Sequence, residues 1–179
     1  FGFCDGTRLM DMFLKMALNN AWANGVLYRA CFALSEAEVW ADRPGFFGSI
    51  GRTLNHIYEV DLYYVDALEA GGAGRSVYDR EDVRDLRELA RLQADVDMRF
   101  ANVCGGLTEA SLQEKRQTVR TDCVVEERVD WLILHLGQHD VHHRGQVHTM
   151  LSHAGIDPPQ LDDFYLEFGR VETAKAYWE

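Results

Sequence analysis

Five of the seven histidines fall between His135 and His148. A neutral imidazole is the commonest metal ligand, so this crowding in one stretch points to metal chemistry. A three-and-four alternation starting at Leu132 runs through Leu136, His139, His143, Gln146 and Met150. On a helix it places His139 and His143 on one inward face, one turn apart, where two imidazoles converge on a single ion. His135 with His139 offers another i, i+4 pair and His142 lies beside the stripe, but His139 with His143 is the pair that fits the alternation. His148 and His153 read as surface residues or as supports behind the ligands. A catalytic metal site usually takes three protein ligands and keeps one position open. The third candidate is His56, beside Thr53, Ile57 and Val60 at the edge of a second apolar stripe. The competing reading is that these histidines are hydrogen-bonded core residues. An inward HxxxH pair facing a second histidine-bearing helix favours metal.

Long helices must position these groups. The three prolines, Pro44, Pro158 and Pro159, stand where helical patterns stop, which leaves long uninterrupted segments. The first segment, Thr7 to Leu34, carries Leu9, Met10, Phe13, Met16, Ala17, Trp22, Leu27 and Leu34 largely at helical spacing. Ser35 is placed to cap a short turn before the Asp42–Gly45 loop. The second segment, Phe47 to Ala70, lines up Ile50, Leu54, Ile57, Asp61, Tyr64 and Leu68, and stops at a glycine cluster. The third, Glu81 to Val103, presents Val83, Leu86, Leu89, Leu92, Val96 and Phe100, with its charged faces read as solvated. Thr118–Thr121 and Cys123–Val125 read as short extended pieces of a hairpin. The fourth helix runs from Glu126 to Ala154, and the tail from Leu161 to Glu179 reads as one more short helix. The expectation is one all-α domain, a four-helix bundle with a short C-terminal extension over residues 1–179.

A net charge of −11 and a pI of 5.0, with scattered basic residues, argue against nucleic acid as a partner. No apolar run approaches the roughly 18 to 20 residues needed to span a bilayer, so no membrane partner is expected. Cys4, Cys31, Cys104 and Cys123 form no CxxC pair and read as reduced thiols, in keeping with a cytoplasmic location.

The run His139-Asp140-Val141-His142-His143-Arg144-Gly145-Gln146-Val147-His148-Thr149-Met150-Leu151, followed by Ala154-Gly155-Ile156-Asp157-Pro158-Pro159, resembles the hallmark of the DinB family, within the DinB/YfiT-like group. Thr53-Leu54-Asn55-His56-Ile57, preceded by Phe46-Phe47-Gly48-Ser49-Ile50, looks like that family's second-helix motif. Asn20-Ala21-Trp22-Ala23-Asn24 with Leu27-Tyr28 is similar to its first helix. The resemblance implies a four-helix bundle with a variant up-and-down topology, often a homodimer. It also implies one divalent ion, commonly zinc or nickel, held at positions that match His56, His139 and His143. Gln146 is placed to orient a ligand, and Asn55 and Asp140 to support the imidazoles from behind, although a solvated face is the stronger reading for those two. Arg144 falls off the ligand stripe, and Gly145 reads as room for a neighbouring helix.

The group's characterised members imply a metal-dependent thiol S-transferase acting on small electrophiles with a low-molecular-weight thiol cosubstrate. A three-histidine metal leaves a position where a thiol can bind and ionise. No residue stands out as a catalytic acid or base. A non-catalytic metal-binding stress-response protein is the alternative. Metal-dependent hydrolysis ranks lower, because Asp140 stands where helical zinc hydrolases often carry the longer glutamate.

Overall fold

Four long helices, two short ones and a hairpin, besides a short 3-10 helix at Gly74–Tyr78, make up this computed structural model, which describes residues 6–162 and the side chains from 11 onward. In chain order they are α1 (Gly6–Cys31), α2 (Glu36–Trp40), α3 (Ile50–Leu68), α4 (Leu86–Gly105), α5 (Glu109–Gln113), β1 (Lys115–Val119), β2 (Val124–Arg128) and α6 (Val129–His153). The expected tail helix falls mostly on 163–179, outside the described residues. Local chemistry accounts for the boundaries. Ser35 and Glu38 form the capping box that starts α2. Helix α4 begins at Leu86 rather than at Glu81, because the Asp85 carboxylate accepts from the N–H groups of Arg87 (2.8 Å) and Glu88 (3.2 Å). The hairpin pairs Lys115 with Arg128 and Val119 with Val124 in antiparallel register. It is pinned to α3 by the Tyr63 hydroxyl, which donates to the Val119 carbonyl at 2.8 Å.

Helix α1 packs on α4 and α6, and α3 packs on the same two. Consecutive long helices α1 and α3 therefore face each other across a diagonal, as do α4 and α6. A simple up-and-down bundle keeps consecutive helices adjacent. Here the long connections 32–49 and 106–128 carry the chain across, holding α2 in the first and α5 with the hairpin in the second. One core draws on all four long helices, through Leu27, Ile57, Leu89, Leu132, Leu136 and Leu151 among others. Each such side chain stabilises the fold by about 1.5 to 3 kcal/mol on burial. Among the described residues no helix is long and apolar enough to cross a membrane.

Helices α3 and α6 run antiparallel. Thr53 reaches Met150, the His56 ring meets those of His143 and His139, and Tyr64 lies against His135. That register brings the centre of α3 level with the HxxxH turn of α6.

Candidate metal centre

Three imidazoles meet in the α3–α6 groove. His56 and His139 are half-buried and His143 is 9% exposed. Ring centroids lie 5.0 Å apart for His56 and His139, 4.6 Å for His56 and His143, and 4.4 Å for His139 and His143. One ligand nitrogen from each falls within 4.8 Å of the other two. Zinc–imidazole bonds of about 2.0 to 2.1 Å in a tetrahedral arrangement set ligand nitrogens about 3.3 to 3.4 Å apart. The Nε2 atoms of His56 and His139 are 3.0 Å apart, so rotamer-scale adjustment suffices for both to serve one ion. The same distance is that of an N–H···N hydrogen bond, whose single proton must leave when both nitrogens become ligands.

The surroundings favour the neutral, ligating form. Burial, reinforced by the neighbouring His139 and His143, pushes His56 down to about 4. Burial also lowers His143, against the opposing pull of Gln146. The Gln146 amide oxygen lies 2.9 Å from His143 Nδ1, where it accepts that N–H and leaves Nε2 free to bind. The amide nitrogen of Gln146 in turn lies 3.2 Å from His142 Nε2. His139 Nδ1 faces an Asp140 oxygen at the longer distance of 3.4 Å, the carboxylate–histidine arrangement that supports metal ligands. Phe47 walls one side, its ring 4.1 Å from His56 and 5.5 Å from His143. Phe46 packs edge-on against Phe47 and is 86% exposed at the rim. Their loop needs glycine at Gly45 and Gly48, where φ is 151° and 74°; a Cβ on Gly45 would also collide with Met150. On the other side His135 stands beside His139 and Tyr64, whose hydroxyl accepts from Arg120 at 3.1 Å.

Comparison with protein-family models matches residues 8–174 to the DinB family. The chain belongs to the DinB family. It is also similar to Protein DinB of Bacillus subtilis (strain 168), at 22% identity over 180 residues that cover 93% of this chain and all of the relative.

Beneath the three histidines this DinB-family bundle buries a group of polar side chains, two of which, Asp140 and Arg144, lie off the ligand stripe of α6. Asp140 is 0% exposed and Arg144 is buried with it, so neither sits on a solvated face. Arg144 donates to Asn20 and, at 3.0 Å, to Asn24, and its guanidinium lies 3.8 Å from Asp140. From the face of α4 read as apolar come Gln93 and Asp97, both fully buried. Gln93 donates to Asp61 at 2.6 Å and to Asp97 at 3.2 Å, and Asn24 donates to Asp97 at 3.0 Å. Neither Asp61 Oδ1 nor Asp140 Oδ2 receives a hydrogen bond from an N–H or hydroxyl group. Asp61 and Asp140 bring carboxylate oxygens within 4.8 Å of one another, and burial together with the neighbouring Asp140 raises the Asp61 pKa well above the usual carboxylate range. The signal for these residues was present in the stripes: Asn20 and Asn24 continue the Phe13–Ala17 face of α1, and Asp61 sits between Ile57 and Tyr64.

Two other expectations are corrected. Asn55 donates to the carbonyls of Gly51 at 2.9 Å and Val83 at 3.2 Å and accepts from the Val83 N–H at 2.8 Å, and so clamps the segment before α4 instead of a ligand imidazole. Gly145 makes no close helix approach, since a Cβ there would meet nothing within 4 Å. His148 lines a shallow groove with Asn19, Val141 and Arg144, and His153 is exposed.

Burial raises Asp97 to about 7, Asp140 adds to the rise, and Gln93, Asn24 and Arg144 oppose it. Its unfolded value is about 4, so the folded state holds this proton more tightly. Stability from this group is therefore complete below pH about 4 and is lost as pH rises through about 7. Asp97→Asn is expected to raise the Tm of the metal-free protein at pH 8, with the advantage shrinking toward pH 5. Thermal scans at the two pH values check this, and a constant difference would rule out the ionisation as its cause.

Proposed function

We propose that this DinB-family protein binds one divalent ion, zinc or nickel, through His56, His139 and His143, and uses it to transfer a low-molecular-weight thiol to small electrophiles. The observation that carries the metal reading is the convergence of the three imidazoles, with Gln146 on His143 and Asp140 beside His139. A bound ion in this donor set supplies a Lewis acid that lets a coordinated thiol ionise near neutral pH. The chain's part is to hold the three imidazoles together and to present a partly apolar approach. Phe46 and Phe47 suit the carbon skeleton of an electrophile, and the Tyr64–Arg120 side suits polar groups of the cosubstrate. Hydrolysis is disfavoured because Asp140, the acid inside the motif, is enclosed with Arg144 and is not presented to the groove as a base for water.

Two further elements belong to this reading. Unpaired Cys31, Cys104 and Cys123 accord with a reducing, cytoplasmic location. Trp131, Leu134 and Val141 stand exposed along the outside of α6, which supports pairing into a homodimer.

The deciving experiment pairs elemental analysis of the purified protein with a steady-state screen of thiols against activated electrophiles. About one equivalent of metal and metal-dependent saturation by a thiol are expected. Metal retention with no turnover of any electrophile would instead support a non-catalytic, stress-response role, and a wild type that takes up neither zinc nor nickel would remove the metal reading.

A further inference from the structure

The buried polar groups form a closed circuit around the bundle axis. Asn24 of α1 bonds to Asp97 of α4 at 3.0 Å, and Asp97 accepts from Gln93 at 3.2 Å. Gln93 donates to Asp61 of α3 at 2.6 Å, and Asp61 brings a carboxylate oxygen within 4.8 Å of one from Asp140 of α6. Asp140 faces Arg144 at 3.8 Å, and Arg144 returns to Asn24 at 3.0 Å. Every long helix contributes to the circuit, and it touches the candidate metal centre at one place, Asp140 against His139. The nearest ligand-capable atoms of Asp61, His139 and Asp140 all lie within 4.8 Å of one another.

Such a circuit is costly to bury, since three carboxylates face one guanidinium in a low-dielectric interior. An apolar core would hold four helices together at least as well. What an apolar core lacks is the ability to fix the direction of a carboxylate, and hence of the imidazole that rests on it. A lone Asp140 would be free to turn toward Arg144. Held also by Asp61, which is itself held by Gln93, it has one orientation that satisfies its neighbours.

We propose that this circuit is the positioning device of the metal centre: Asp61 and Gln93 act through Asp140 to hold the His139 imidazole, so that α1 and α4, which offer no ligand, help to set how tightly the metal is bound. The inference rests on the three-histidine metal reading. Asp61 and Gln93 are positioning residues, buried beneath the three imidazoles.

The test measures zinc affinity by chelator competition on folded protein, cobalt absorption spectra and metal stoichiometry for wild type, Gln93→Met, Asp61→Leu and Asp61→Asn. Gln93→Met keeps the side-chain length but removes both N–H donors; Asp61→Asn offers an N–H donor toward Asp140 and keeps an acceptor for Gln93. Gln93→Met and Asp61→Leu are expected to weaken zinc binding about tenfold, the lower end of the range for partners behind metal-bound histidines. Both are expected to shift the cobalt bands, whereas Asp61→Asn stays near wild type. Should Asp61→Leu fail to fold, Gln93→Met decides. Wild-type affinity and spectrum in Gln93→Met, or equal weakening in both Asp61 variants, would overturn the proposal, as a merely structural role predicts a changed Tm alone. A second equivalent of metal in wild type, lost in Asp61→Leu, would also overturn it, by making the carboxylates ligands. Failure of the wild type to bind any metal would instead remove the reading underneath.

Discussion

His139→Ala is expected to leave the fold intact and to cost the protein its metal. His139 Nε2 stands 3.0 Å from His56 Nε2, and its ring is 4.4 Å from that of His143, so its removal opens the middle of the ligand set. The loss should exceed the roughly 100-fold upper figure for changes behind the ligands. Purified wild type is expected to hold about one equivalent and the variant close to none. Thermal unfolding gives an independent readout. A ligand at 100 times its Kd stabilises the folded state by about 2.7 kcal/mol, so zinc should raise the Tm of wild type and leave that of His139→Ala unchanged. His153→Ala, on an exposed residue at the end of α6, serves as the control and should behave as wild type. A variant that keeps both its metal and its zinc-dependent Tm shift would show that the three imidazoles are not the site.

The largest effect on stability is expected at Arg144. Its side chain is 6% exposed, donates to Asn20 and Asn24, and lies 3.8 Å from Asp140. Arg144→Met keeps much of the volume but leaves the buried carboxylates without this cation. Breaking a buried charge pair from one side typically costs about 3 to 5 kcal/mol, because the remaining charge cannot reach water. Urea unfolding of the metal-free protein at pH 7.5 should show a lower midpoint with an unchanged slope. The deficit should narrow toward pH 5, since burial raises Asp97 to about 7 and its protonation relieves the missing positive charge. Arg91 makes the contrast. It pairs with Glu88 at 2.8 Å and Asp95 at 3.0 Å on an exposed face, where water screens the charges and such pairs add little to stability. Equal losses for Arg144→Met and Arg91→Met would refute the buried-charge account.

Much of the architecture was legible in the residues. Apolar periodicity marks all four long helices, because a helix's repeat is a local property of the chain and one face must leave water. The HxxxH pair is legible for the same reason, as i and i+4 are neighbours on any helix. Even the hairpin showed in the run from Thr118 to Val125, although pairing extends it to Lys115 and Arg128. The start of α4 was misjudged by several residues, since Asp85 and Glu81 are equally acidic and only the cap's hydrogen bonds distinguish them.

Other features needed the tertiary structure. The meeting of His56 with His139 depends on the antiparallel register of α3 and α6, which no spacing within either helix encodes. The diagonal placement of α1 and α3 is likewise decided by which apolar stripes pack best. Asp140 and Arg144 each follow a ligand histidine by one residue, a rotation of about 100° around the helix. Whether that rotation ends in water or in the core depends on the neighbour. Here α1 and α3 close over that side of α6, with Asn20, Asn24 and Asp61 waiting to meet the charges. By residue type an aspartate and an arginine belong outside. It is the partners on other helices that make their burial possible, and those partners are fixed only when the bundle assembles.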